Sequence, residues 1–227
     1  MPTSLSKAFR AFVKLSFICC LFVFAVQAQS DLRPLHLRVE YKTNAFVDAA
    51  RPRFSWELQS AVPNQVQTAR QILVAGSVTL LSNEKADIWN SGKVLSGAVN
   101  QVEYAGKALA SNKTYYWKVR SWDKNGKAGP WSEPAYFSTG LLQQSDWKAE
   151  WIGYDVNALS VNKNYHLPPC PYLRKETAIN GTIKKANLYV TALGLYEFYI
   201  NGRRVGDDYF APGWTDYNKR VYYSAYD

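Results

Sequence analysis

From about residue 33 to residue 140, apolar and polar positions alternate in short runs separated by turn residues. Residues 53–58 (RFSWEL) place Phe54, Trp56 and Leu58 on one face, and residues 71–75 (QILVA) form an apolar run. Residues 87–92 (DIWNSG) give a strand end and a turn, and 101–104 a further short strand. Residues 115–122 (YYWKVRSW) send Tyr115, Trp117 and Val119 one way and Tyr116, Lys118 and Arg120 the other; a last strand is expected at 135–138. Side chains on a strand alternate between its two faces, so this period of two, with turns roughly every 8–12 residues, predicts a β-sandwich.

The turns carry their own signals. Asn125-Gly126 suits a type I′ hairpin, because both central residues of that turn need positive φ. Gly129-Pro130 is expected to break the chain before the last strand. Leu109 precedes Tyr115 by six residues, the spacing of a tyrosine corner, and Gly126, Gly129, Trp131 and Ser132 approximate the Gly-x-x-x-Trp-Ser stretch that follows it in fibronectin type III sandwiches. The resemblance to that fold covers roughly residues 33–140. Trp56 and Trp117 read as core, since they sit in alternating strands, while Trp122 fits either the core or an exposed sugar platform.

Residues 140–153 (GLLQQSDWKAEWIG) read as a linker that Trp147 and Trp151 pin against a neighbouring domain. Residues 157–171 are polar, contain Pro168, Pro169 and Pro171, and read as a loop. A second β-unit begins near Tyr172, with strands expected at 172–177 (YLRKET), 186–193 (ANLYVTAL) and 195–200 (LYEFYI). Asn201-Gly202 makes a tight hairpin turn into 203–205, and a final apolar stretch, 219–226 (KRVYYSAY), runs to the end at Asp227. A sandwich needs several more strands to cover its apolar face, so 172–227 is expected to be the start of a domain and unstable alone, with 31–140 folding independently.

The first 28 residues fall outside this pattern. Lys7, Arg10 and Lys14 precede a 12-residue apolar run at 15–26, and Val26-Gln27-Ala28 offers a small-residue cleavage site. The run is short of the ~20 residues that span a bilayer, so residues 1–28 are expected to be a secretory signal peptide and the protein to be exported, to the periplasm or the cell exterior. No later run is apolar enough to span a membrane. Cleavage would lower the net charge from +9 to +6, because that segment holds three basic and no acidic residues, and would leave Cys170 as the sole cysteine. A disulfide-stapled scaffold is thereby excluded. The remaining basic residues are scattered, with the densest spots at Lys184-Lys185, Arg203-Arg204 and Lys219-Arg220, so a nucleic-acid partner is not expected. The 15% aromatic share, with 16 Tyr and 8 Trp, suits pleated, half-buried surfaces.

One ordered series of motifs adds an identity to this reading. PRFSWEL (52–58), QTARQILVA (67–75), DIWNSGKV (87–94), YYWKVRSWD (115–123), FSTGLL (137–142) and WIG (151–153) are followed by LRKE (173–176), LGLYEFYINGRRVG (193–206) and APGWTDYNKRVYY (211–223). The series resembles the N-terminal region of bacterial α-L-rhamnosidases over essentially all of residues 31–227. The resemblance implies a multidomain enzyme: a fibronectin-like sandwich, a jelly-roll sandwich, a large (α/α)6 barrel and a C-terminal β-domain. It implies inverting hydrolysis of terminal non-reducing α-L-rhamnose in glycosides and polysaccharides, by two glutamates of the barrel. The expected organisation is all-β: signal peptide 1–28, fibronectin type III-like β-sandwich 31–140, linker and loop 141–171, and an incomplete jelly-roll β-sandwich from 172 to 227, packing against a missing catalytic domain. No residue here corresponds to either glutamate.

The residues agree with that absence. An inverting glycosidase sets two carboxyl groups about 6.5–9.5 Å apart, whereas the acids here are mostly isolated. Asp207-Asp208 is the one adjacent pair, and it reads as a turn. The two histidines, His36 and His166, lie far apart, and no nucleophile elbow, metal-ligand spacing, phosphate loop or cofactor motif occurs. No catalytic residue, cofactor or metal is therefore expected. A sugar contact could form from Trp214, Asp216, Tyr217, Asn201 and Arg220, by stacking an aromatic face on a sugar ring and hydrogen-bonding its hydroxyls, with a rhamnose-containing oligosaccharide or polysaccharide as partner. A purely architectural role for Gly194, Gly202, Gly213 and Trp214, in shaping hairpins and packing on the absent barrel, accounts for the same residues more simply. The alternative function is a secreted, non-catalytic carbohydrate-binding β-sandwich module.

Overall fold

The computed structural model describes residues 29–153 and 170–227. The expected signal peptide, His166 and Pro168-Pro169 lie outside the described residues. Ten strands build the first part: β1 (Arg33–Val39), β2 (Phe46–Val47), β3 (Arg53–Gln59), β4 (Ala69–Ala75), β5 (Trp89–Asn90), β6 (Val94–Leu95), β7 (Val102–Glu103), β8 (Thr114–Trp122), β9 (Ala128–Trp131) and β10 (Ala135–Thr139). They form two sheets, ordered β1-β3-β7 and β2-β10-β8-β4-β5, with β6 on β4 and β9 on β8. Every pairing is antiparallel except β2 with β10. The all-β expectation and the sandwich are borne out.

The alternation explains the packing. Phe54 and Trp56 on one sheet meet Ile72, Val74, Tyr115, Trp117, Val119 and Phe137 on the other in a single core. Phe54 lies edge-on to Trp117, with ring centroids 4.6 Å apart and planes at 72°, a favoured aromatic geometry. Tyr115 makes the expected corner: its hydroxyl accepts from the Ala110 backbone N–H at 2.8 Å. The opposite face of β8 is not left to water. A short helix, Val78–Ser82, N-capped by Ser77, packs beside Leu73 and Ala75, and Trp131 covers Lys118.

Three local expectations need correction. The Asn125-Gly126 turn is not type I′. Gly126 alone has positive φ there (73°), its N–H donates to the Asp123 carbonyl, and Asp123 N–H pairs with Lys127 O at 2.9 Å. That is a longer loop with glycine at its left-handed position, stabilised by the Asp123 carboxylate accepting from Asn125 and Lys127 N–H. Gly129-Pro130 does not break the chain but lies inside β9, whose only ladder partner among the described residues is β8, and an edge strand tolerates proline's missing donor. Gly129 is required by close approach, since a Cβ there would sit 2.0 Å from the Leu32 carbonyl oxygen.

The third correction concerns residues 170–227. They hold β11 (Leu188–Thr191), β12 (Tyr199–Ile200), β13 (Arg203–Arg204) and β14 (Tyr223–Tyr226), as two antiparallel ladders, β11-β14 and β12-β13. Residues 172–177 are exposed and carry no ladder, so the strand expected there does not form; side-chain alternation cannot supply the missing backbone partner. The expected strands at 186–193 and 195–200 are shortened for the same reason, and only the end of the 219–226 stretch pairs. The Asn201-Gly202 turn is a left-handed pair (φ 48° and 78°) between β12 and β13, as expected.

Candidate functional site

Four of the five residues expected to contact sugar fall on one stretch, 214–220. Its fold follows from Asp216, whose carbonyl accepts from the N–H groups of Lys219 (2.8 Å) and Arg220 (2.9 Å) and whose Oδ1 accepts from Asn218 N–H (3.1 Å). An aspartate that bonds the backbone two residues on is a turn former. This turn brings Tyr217 back under Trp214, with centroids 6.3 Å apart and planes at 20°. Trp214 is 83% exposed, so its ring is an open apolar plate. Arg220 places its guanidinium 5.7 Å from the Tyr222 ring centre.

Asn201 stands on a different element. It occupies the β12-β13 hairpin turn, and no hydrogen bond ties it to 214–220 among the described residues. The geometry therefore provides a stacking surface, Trp214 with Tyr217, beside a carboxylate that is partly committed to its own turn and to Lys219 (3.5 Å).

A second aromatic group, on the outer face of β8, was only half legible. Arg120 lies between Trp122 (5.1 Å) and Trp131 (4.5 Å), Lys93 stands over Trp122 (4.9 Å) and Lys118 over Trp131 (4.8 Å). The Arg120 Nε and Nη2 both donate to Gln71 Oε1, and Trp131 Nε1 donates to Glu84. Trp122 is thus filled on its faces by cations and 8% exposed, which makes it part of the packing rather than a sugar platform. The period-two series Lys118, Arg120, Trp122 was the available signal; the partner strand that carries Trp131 was not.

A glycosidase general acid needs a carboxyl group held protonated, with a raised pKa. Here the carboxyls that move go the other way. The Ser60 hydroxyl and Ala61 N–H hold Asp31 low, Arg53 does so for Glu40, His36 for Glu57 and Ser111 for Asp146. Burial pushes Asp123 up, but the N–H groups of Lys127 and Asn125 and the Ser30 hydroxyl outweigh it. Each is consumed in a structural hydrogen bond. No group of three or more His, Cys, Asp or Glu able to hold a metal occurs among the described residues.

Residues 34–143 match the family model described as the Rha78A-like, N-terminal immunoglobulin domain, and residues 181–227 match the α-L-rhamnosidase N-terminal domain. An α-L-rhamnosidase of Formosa agariphila is 36% identical over 196 residues, which cover 80% of this chain and 21% of the relative. One from Alteromonas sp. (strain LOR) is 39% identical over 182 residues, covering 78% of this chain and 20% of the relative. The solved structure of α-L-rhamnosidase from Dictyoglumus thermophilum superposes with a TM-score of 0.74 at 36% identity, over 86% of this chain and 23% of that one. The chain spans about a fifth of the length of these relatives. Two consecutive matches to rhamnosidase N-terminal models, together with these identities, show that the chain belongs to the α-L-rhamnosidase family and corresponds to its N-terminal region.

Proposed function

We propose that this chain is the N-terminal region of an exported α-L-rhamnosidase, an inverting glycosidase that removes terminal non-reducing α-L-rhamnose from oligosaccharides or polysaccharides, and that this region is itself inactive. The observation that carries the reading is the collinear match to α-L-rhamnosidases at 36–39% identity across about four-fifths of the chain. The division into a signal peptide (1–28), a fibronectin type III-like sandwich (31–140), a connecting segment (141–171) and the start of a jelly-roll domain (172–227) is part of the same proposal. Asp31, Glu40, Glu57, Asp123 and Asp146 are each held low by hydrogen bonds, which removes those five as candidates for the acid.

The test is hydrolysis of an aryl α-L-rhamnoside by this chain and by the product of the complete reading frame that contains it. No turnover by the chain and clear turnover by the complete product are expected. Turnover by the chain alone would overturn its assignment as non-catalytic; a complete product that cleaves other glycosides but no rhamnoside would overturn the substrate.

A second reading, a non-catalytic carbohydrate-binding module, is favoured by one feature: the open Trp214 plate stacked on Tyr217. In this reading Trp214 and Tyr217 carry the apolar face of the sugar, and Asp216, Arg220 and Asn201 supply polar contacts. Calorimetric titration with rhamnose-containing oligosaccharides decides it, and silence at millimolar ligand removes it.

A further inference from the structure

The ladders of residues 170–227 bury almost nothing of their own. Among the described residues of that stretch, Ala211 is the sole buried hydrophobic residue, while Leu195, Tyr199, Ile200 and Trp214 are each more than half exposed. Two-stranded ladders are marginal in water without a surface to pack on. Yet β11 and β14 pair in unbroken register over four residues, from Leu188 with Tyr226 to Thr191 with Tyr223. Something outside the ladder must hold it.

That support is the sandwich. The Tyr223 ring stands edge-on to Trp147, at 5.4 Å and 86°, and its hydroxyl receives the Leu141 N–H in a long 3.4 Å bond. Tyr189, its cross-ladder neighbour at 6.1 Å, lies 6.1 Å from Phe46 of β2. Asn112, in the turn before β8, accepts from both the Asn187 amide and the Tyr189 hydroxyl (3.3 Å). Burial raises the pKa of both tyrosines, in line with a partly desolvated contact.

Gly140 makes the approach possible. A Cβ there would lie 2.4 Å from the Tyr223 hydroxyl oxygen and 2.9 Å from the Phe46 ring. Its φ lies outside the left-handed region, so backbone conformation does not require glycine at this position. The close approach does. The notch is rigid: Gly140 N–H donates to Val47 O at 2.7 Å and its carbonyl accepts from Asn112 N–H at 3.0 Å. Trp147 is set by the preceding 3-10 turn, Gln144–Asp146, which Ser111 anchors through the Asp146 carboxylate.

We infer that the sandwich is the folding template of the β11-β14 ladder, with the Gly140 notch as the seat and Tyr223 as the latch. The partner of this face is thus the chain's own second half, and the first unit serves as its scaffold. The inference is independent of any sugar contact or hydrolytic activity.

Hydrogen exchange on the whole chain tests it, read on peptides covering 188–191 and 223–226 and, as the internal reference, 69–75 and 114–122. Gly140→Val fills the seat from the sandwich side. Asn112→Gly removes the amide clamp without backbone strain, because Asn112 has φ 55°. Both are expected to raise exchange in the ladder by about tenfold or more, Asn112→Gly by deleting two hydrogen bonds and Gly140→Val by displacing the Tyr223 ring, while the reference peptides keep their protection. Unchanged ladder protection beside an intact reference in both variants overturns the template. Should Gly140→Val also unprotect the reference, Asn112→Gly decides alone, in either direction.

Discussion

Trp56 donates its indole N–H to the side-chain oxygen of Gln67 at 3.2 Å, and both residues are buried. The same oxygen accepts from the Ser121 hydroxyl at 2.6 Å, and the Gln67 amide nitrogen donates to the carbonyls of Ser96 and Ala98. One amide thereby saturates its capacity while joining both sheets and the loop after β6. Gln67→Leu keeps the volume and strands the two buried donors, the Trp56 indole N–H and the Ser121 hydroxyl. Because an unsatisfied buried group costs its full desolvation penalty, the substitution is expected to destabilise the sandwich by about 3 kcal/mol, measured by urea unfolding followed through tryptophan fluorescence.

The tyrosine corner allows a narrower test. Tyr115→Phe removes only the hydroxyl that receives the Ala110 N–H, and leaves the ring stacked on Phe137 at 5.5 Å. A loss of about 1 kcal/mol is expected, the range for one part-buried hydrogen bond. A neutral result would show that water replaces the hydroxyl.

Acid should weaken the fold through Glu40. Glu40 (φ 47°) and Tyr41 (φ 63°) are the centre of a two-residue turn closed by Val39 and Lys42, a left-handed pair made without glycine or asparagine. The turn is held by the Glu40 carboxylate, which accepts from the Arg53 backbone N–H at 2.7 Å and from its guanidinium at 2.6 Å. Arg53 keeps the Glu40 pKa below its ordinary 4.5. A depressed carboxyl pKa stabilises fully above the unfolded value and is lost as pH falls through the folded one. The thermal midpoint is therefore expected to fall below pH 4.5, and Glu40→Gln to lower it at pH 7 and flatten its decline in acid. Melting curves between pH 7 and 3 check both.

Alternation in 53–58, 71–75 and 115–122 was enough to place the sandwich and its core, because one buried face imposes period two on the sequence. The Glu40-Tyr41 turn was not legible, since its left-handed residues are held by Arg53, thirteen positions on. The cation–aromatic stack at Trp122 and Trp131 needed the β8-β9 pairing, which Gly129-Pro130 disguised as a break. In residues 172–227 the alternation was read as strands, but a strand also needs a ladder partner, and only eight residues on β11 and β14 and four on the β12-β13 hairpin pair in a ladder. For the sugar-contact set, adjacency in sequence placed Trp214, Asp216, Tyr217 and Arg220 together, while Asn201 was already legible as part of a separate hairpin turn.

Trp214 and Trp122 should part company when replaced. Trp214 is 83% exposed and touches Tyr217 at stacking distance, whereas Trp122 is 8% exposed and closes a stack with Lys93 and Arg120. Removing an exposed ring from an open turn changes stability little, while deleting a buried tryptophan costs about 3–5 kcal/mol. Trp214→Ala is therefore expected to leave the melting temperature unchanged and to abolish any measurable heat of binding to rhamnose-containing oligosaccharides. Trp122→Ala should lower the melting temperature sharply. A Trp214→Ala chain that binds as well as the parent would assign that ring to packing against another part of the enzyme; a chain that melts early would place it inside the fold instead of on the surface.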